Sequence, residues 1–192
     1  IYGPFVENDW MEEMNMIQVD LVALTYLTKL FVRPMIARGQ GHILNVGSPA
    51  SFAPAPLMAV YGAAKAYVLR FSSALSQELR GTGVQVTTLC PGVVRTGFQE
   101  RANQKETILV RYTAMDPERV AKAGYEAMKR GKTVVVPGLL NKLTAYLSGL
   151  APAFVTRRAA YLAMQPLDEL EYLLNNLGQA YTGCHDAARF SC

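Results

Sequence analysis

The chain has 192 residues, enough for one domain with a substantial core, and 51% hydrophobic against 18% charged residues make it globular rather than disordered. A net charge of +4 and a pI near 9.0 are mildly basic, but no Lys/Arg cluster is dense enough for a nucleic-acid stripe, and Lys129-Arg130 and Arg157-Arg158 read as solvated helix ends. Cys90, Cys184 and Cys192, with only His42 and His185 beside them, give neither a disulfide framework nor metal-ligand spacing, so no metal site is expected and the composition fits a reducing cytoplasm.

In chain order, residues 8–38 read as a helix, with Leu24, Leu27, Leu30 and Phe31 at the 3–4 spacing of an apolar stripe. Pro34 bends it near its end, and Gly39-Gln40-Gly41 stops it. His42–Val46 is a short buried strand, followed by a Pro/Ala/Ser loop over 48–56. Residues 57–80 form a long helix with Val60, Ala64, Val68, Phe71 and Leu75 along one side, stopped by Gly81-Thr82-Gly83. Val84–Leu89 is a second strand, rich in β-branched residues and broken by Pro91-Gly92.

Residues 98–113 are polar and irregular, the pattern of a mobile loop. A helix then opens on Asp116-Pro117-Glu118, where Asp116 suits the N-cap and Pro117 the first helical position, and runs to about residue 130. A third strand covers 133–136. Two short helices, 139–150 and 153–164, are split by Pro152, and a last helix is expected over 166–177 before a tail, 178–192, without period.

Alternating helices and apolar strands predict an α/β fold with a parallel sheet flanked by helices, and three strands leave one bare edge beside residues 42–46. The longest charge-free run, 43–64, is interrupted by Pro49, Pro54 and Pro56, and the run 143–156 is short of the roughly 20 residues a membrane span needs. No charged-then-apolar leader and no Asn-x-Ser/Thr sequon is present, and the first residue is Ile1. The protein is expected to be cytoplasmic, with no membrane or nucleic-acid partner. Surface association through 139–164 is the competing membrane reading.

The chemistry concentrates in Tyr61-Gly62-Ala63-Ala64-Lys65. Residues four apart share a helix face, and an ammonium beside a phenol favours the phenolate, which lowers the phenol's pKa from about 10. A tyrosine on an apolar helix is ordinarily a core residue with a polar tip. Here Asn45-Val46-Gly47-Ser48 lies upstream, with Ser48 13 residues before Tyr61 (61 − 48), and Cys90-Pro91-Gly92-Val93-Val94-Arg95-Thr96 lies downstream.

These three motifs in register closely resemble the short-chain dehydrogenase/reductase family, from Ile1 to about Met164. Its members end the serine strand with Asn-Val-Ser-Ser, carry Tyr-x-x-x-Lys on the next helix, and end the following strand with Pro-Gly-x-x-x-Thr. The resemblance implies NAD(P)-dependent hydride transfer on a small carbonyl or alcohol substrate, with NADP slightly ahead of NAD. It implies that Tyr61 is the acid or base, that Lys65 lowers the Tyr61 pKa and binds the nicotinamide ribose, and that Ser48 holds the substrate oxygen. It places Pro91, Gly92, Val94 and Thr96 around the nicotinamide. It also implies homo-oligomers packed through helices 8–38 and 57–80, and a helical substrate lobe at 139–165. Ser51 reads as a loop residue able to touch substrate, and Asn45 as structural.

Two departures stand out. The family's catalytic asparagine is matched here by Asp20, a carboxylate that would compete for the Lys65 ammonium and raise the Tyr61 pKa. The family's Gly-rich turn after the first strand is absent, because Gly39-Gln40-Gly41 and Gly81-Thr82-Gly83 precede strands rather than follow them. The chain therefore reads as a partial Rossmann-type doubly wound sheet with its N-terminal strands missing. Its expected layout is a main body at 1–165 and a terminal helix and tail at 166–192. As an isolated polypeptide the chain is expected to have little or no dinucleotide affinity and to be inactive, and the alternative function is a truncated, inactive remnant serving at most as an association module.

Overall fold

Val84–Leu89 alternates its side chains across the two faces of a sheet, and both faces are covered. In the computed structural model, which describes residues 1–102 and 106–167, this strand (β2) lies between β1 (Gly41–Val46) and the two-residue β3 (Val134–Val135). Both pairings are parallel, in the order β1-β2-β3. Among the described residues β1 pairs only with β2, so its other edge is bare, as the strand count implied.

Val84 and Val86 point to one face. They pack with Leu75 of α3 (Ala59–Glu78) and Leu79 at its C-cap, Val32 and Met35 of α2 (Leu24–Ala37), and Ile43 of β1. Leu89, odd in the same strand, meets Gly124 of α6 (Pro117–Lys129) on the opposite face. Helices on both faces of a parallel sheet make this the expected α/β architecture. Asp116 caps α6 by accepting from the Arg119 backbone N–H, with Pro117 in the first turn.

Three sequence expectations are corrected. Residues 8–38 are not one α-helix: α1 (Trp10–Ile17) passes into a π-helical stretch, Gln18–Ala23, before α2. The stripe of Leu27, Leu30 and Phe31 faces outward, with Leu30 52% and Phe31 54% exposed, because the inward face of α2 is supplied by Thr28, Val32 and Met35. The segment 98–113 is not irregular throughout. It holds α4 (Phe98–Arg101) and α5 (Ile108–Thr113), the latter capped by Thr107, whose hydroxyl accepts from Val110 N–H.

The helices α7 (Leu139–Ser148) and α8 (Ala153–Met164) complete the described chain, close to their expected bounds. Leu167 N–H donates to the Glu106 carbonyl. The remainder of the expected 166–177 helix, the 178–192 tail, Cys184, His185 and Cys192 lie outside the described residues. No described helix is long and apolar enough to cross a membrane.

Candidate active site

Parallel sheets collect their functional loops at the carboxyl ends of the strands. Here the loop after β1 and the loop after β2 meet the N-terminal turns of α3. They enclose a cavity of about 300 Å³. Its walls include Ser48, Tyr61, Lys65, Pro91, Gly92 and Val94, and Thr96 also lines it. Of the residues expected to be catalytic or to bind the cofactor, only Asp20 lies off this cavity, and it reaches the site through Lys65.

Each side chain is placed by a local cause. Ser48 caps a 3₁₀ turn, Pro49–Ser51, accepting from Ala50 N–H. The Ser51 hydroxyl, 6% exposed, donates to the Lys65 carbonyl at 2.7 Å and accepts from Ser48 N–H at 3.2 Å. Ser51 does not line the Tyr61 cavity. It ties the Ser48 loop to the Tyr61 helix, which corrects its reading as a substrate contact. Asn45 donates to Ser72 at 2.9 Å in the buried layer between β1 and α3, a structural bond.

Gly47 stands where the family motif has serine, and the packing shows why. A Cβ there would lie 2.9 Å from Cys90 Sγ and 3.2 Å from Ser51 Oγ. The fully buried Cys90 fills the space a serine side chain would need. Burial pushes the Cys90 thiol up to about 11, against hydrogen bonds from Ser48 and Ser51 that lower it, so at neutral pH it is no thiolate nucleophile.

The electrostatics of Tyr61 run opposite to the expected lowering. Its phenol is raised above the ordinary 10.0, first by burial, with the Asp20 carboxylate adding to the rise and a Ser48 side-chain hydrogen bond opposing it. Lys65 Nζ is 5.5 Å from the Tyr61 ring centroid. That ammonium is already engaged, 2.9 Å from Asp20 Oδ2, in a pair whose side chains are 13% and 20% exposed, and it donates to the Val46 carbonyl at 3.5 Å. The π-helical stretch carries Asp20, and such extra-residue turns often sit at functional positions. Phe98 of α4 covers Tyr61, ring centroids 5.8 Å apart.

Sequence reasoning missed several wall residues. Ala55 and Met58 come from the loop before α3, Asn141 and Thr144 from α7, and Met164 from the end of α8. Nothing in the sequence set Asn141 apart, since Lys142, Thr144 and Ser148 on the same helix are polar as well. No group of three or more His, Cys, Asp or Glu able to hold a metal occurs among the described residues.

A family profile described as short chain dehydrogenase matches residues 2–107. The ketoacyl reductase HetN of Nostoc sp. (strain PCC 7120) is 31% identical over 164 residues, covering 82% of this chain and 56% of HetN. The NADP-dependent 3-hydroxy acid dehydrogenase YdfG of Escherichia coli (strain K12) is 36% identical over 121 residues, 60% of this chain and 48% of YdfG. Among solved structures, a short-chain dehydrogenase from Sphingobium yanoikuyae in complex with NADPH aligns with a TM-score of 0.66 at 29% identity, covering 78% of this chain and 59% of that one. The chain spans about half the length of the curated relatives it matches.

Proposed function

The chain belongs to the short-chain dehydrogenase family, and we propose that it acts as an NAD(P)-dependent oxidoreductase on a small carbonyl or alcohol substrate. The observation that carries this reading is the convergence of Ser48, Tyr61 and Lys65 with Pro91, Gly92, Val94 and Thr96 on one cavity. The residues suit a nicotinamide. Gly92 has no side chain of its own and lets Asn141 pack against it on the cavity wall, the Thr96 hydroxyl and Val94 backbone are polar, and Lys65 offers an ammonium for a ribose hydroxyl. When bound, the nicotinamide supplies or accepts the hydride.

The chain's own residues handle the oxygen and its proton. Ser48 holds the substrate oxygen and stabilises its developing charge. Tyr61, kept protonated by burial and by Asp20, gives its phenol proton to the alkoxide formed in reduction, and as phenolate takes it back in oxidation. Lys65 steadies the phenolate, and Asp20 sets how firmly that ammonium is held. At neutral pH the site therefore rests in the protonated form that reduction uses.

The apolar walls, from Ala50, Ala55, Met58, Val93, Phe98 and Met164, favour a carbonyl compound with hydrocarbon flanks. NADP is preferred over NAD, in keeping with YdfG and with the NADPH-bound Sphingobium structure. The test is oxidation of NADPH at millimolar concentration with a panel of apolar ketones. Turnover that depends on ketone structure is expected, and no turnover with any ketone at any pH would sink the proposal.

Val19, Val22, Tyr26, Leu27, Leu30 and Phe31 form an exposed apolar face on the π-helical stretch and α2, next to the stacked pair Tyr67–Phe71 of α3. A second copy of the chain covering this face would remove it from water. Sedimentation velocity is expected to show a dimer or higher state that Leu30→Asp with Phe31→Asp converts to monomer. A wild-type monomer at high concentration would exclude this association.

A further inference from the structure

The cavity's α7 wall carries a polar group that none of the chemistry above uses. Asn141 is 4% exposed and lies in the first turn of α7, packed against Gly92, where an added Cβ would be 2.6 Å from Asn141 Cγ. Both of its hydrogen bonds use the amide nitrogen: Nδ2 donates to the Pro137 carbonyl at 3.2 Å and contacts Met115 Sδ at 3.4 Å. Its carbonyl, Oδ1, has no hydrogen bond among the described residues, and the residue lines the cavity. Thr144, its neighbour on the same wall, has its hydroxyl proton committed to the Leu140 and Asn141 carbonyls, both at 3.0 Å.

Thr88 Oγ1 is the one fully buried side-chain polar atom without a partner among the described residues, so Asn141 Oδ1 keeps contact with solvent, and its place in the cavity wall lets a ligand donor replace that water. The nitrogen's bonds fix which way the amide faces, so the oxygen is presented in a fixed orientation. The geometry points to Asn141 as a specificity-determining residue whose side-chain carbonyl accepts a hydrogen bond from an N–H or O–H group of the small molecule in the cavity. This role rests on the oxidoreductase reading. Two donors share that chemistry: the carboxamide N–H of a nicotinamide and a hydroxyl on the substrate.

The test separates them by binding as well as by turnover. Asn141→Leu removes the acceptor, while Asn141→Asp keeps an acceptor oxygen and loses the bond to Pro137, and thermal melts confirm that each is folded. Calorimetric titration uses NADPH and its reduced 3-acetylpyridine analogue, whose methyl ketone has no N–H. Turnover uses a hydroxyketone and its deoxy analogue. If the carboxamide is the donor, Asn141→Leu weakens NADPH binding about tenfold and leaves the acetylpyridine analogue unchanged. If the substrate hydroxyl is the donor, both dinucleotide affinities hold and the kcat/KM preference for the hydroxyketone falls about tenfold. In either case Asn141→Asp, which keeps an oxygen without the bond that orients it, discriminates less than wild type and more than Asn141→Leu.

An equal loss with all four ligands would show a latch on Pro137 and overturn the assignment. So would no change with any ligand. A wild-type chain that neither binds nicotinamide nor reduces any ketone would overturn the oxidoreductase reading, and this role with it.

Discussion

Replacing Tyr61 with phenylalanine is expected to lower kcat for carbonyl reduction by about 10²- to 10⁴-fold, the range that a positioned proton donor contributes. The substitution removes one oxygen and leaves the ring. Phenylalanine keeps the packing against Phe98 and the position beneath Lys65 Nζ, and it buries no hydroxyl. Thermal stability should therefore hold or rise slightly, and nicotinamide affinity should change by no more than a few-fold. The loss falls on kcat because the phenol acts on the oxygen only as its charge develops. Ser48→Ala should cost less, about 10- to 100-fold, since it removes one of the donors stabilising that oxygen. A Tyr61→Phe variant keeping more than a tenth of wild-type turnover would mean that the proton comes from elsewhere, and the reading of the cavity would fail.

The residues that carry the proposed chemistry were legible because they are local. Tyr61 and Lys65 lie four apart on one helix, and Ser48 and Pro91 stand two residues beyond the short strands β1 and β2, the second marked by its β-branched run. Short-range rules suffice for such elements, and they also found the Asp116 cap on α6. What stayed hidden depends on partners distant in sequence. A period of 3–4 residues says that Leu27, Leu30 and Phe31 share a face, not whether the chain's own sheet or another molecule covers it. The π-helical stretch at Gln18–Ala23 has no local signature, since no glycine or proline marks it, and it emerges from packing against α3. Asn141 became visible as a wall residue only once α7 folded over Gly92. The Tyr61 electrostatics were misjudged in part because proximity to Lys65 was weighed ahead of burial, which is the larger cause and is set by tertiary packing.

Changing Asp20 to asparagine is expected to move the whole pH–rate profile toward acid. Two groups act on the Tyr61 proton besides burial and the Ser48 hydrogen bond, Asp20 and Cys90, while the Lys65 ammonium stands 5.5 Å from the ring centroid. Cys90 stays neutral below about 11. Asp20, 2.9 Å from the Lys65 ammonium, offsets that cation and adds its own repulsion to a phenolate. Asparagine is isosteric and uncharged, so the phenolate becomes easier to form. The sign is the same for both directions of reaction. Reduction needs the protonated phenol and is lost as pH rises through the Tyr61 pKa, so in the variant it is lost at lower pH. Oxidation needs the phenolate and grows as pH rises through the same value, so in the variant it starts at lower pH. The displacement is partial, because burial, the larger cause, is untouched. Breaking a partly buried pair should also cost on the order of 1–2 kcal/mol in urea unfolding, between the values for exposed and fully buried pairs. Damage to the fold alone would lower both rates without moving either limb. Two limbs moving together toward acid, with the fold intact, is what a charge acting through Lys65 and Tyr61 requires, and two limbs that stay in place would remove Asp20 from the proton chemistry.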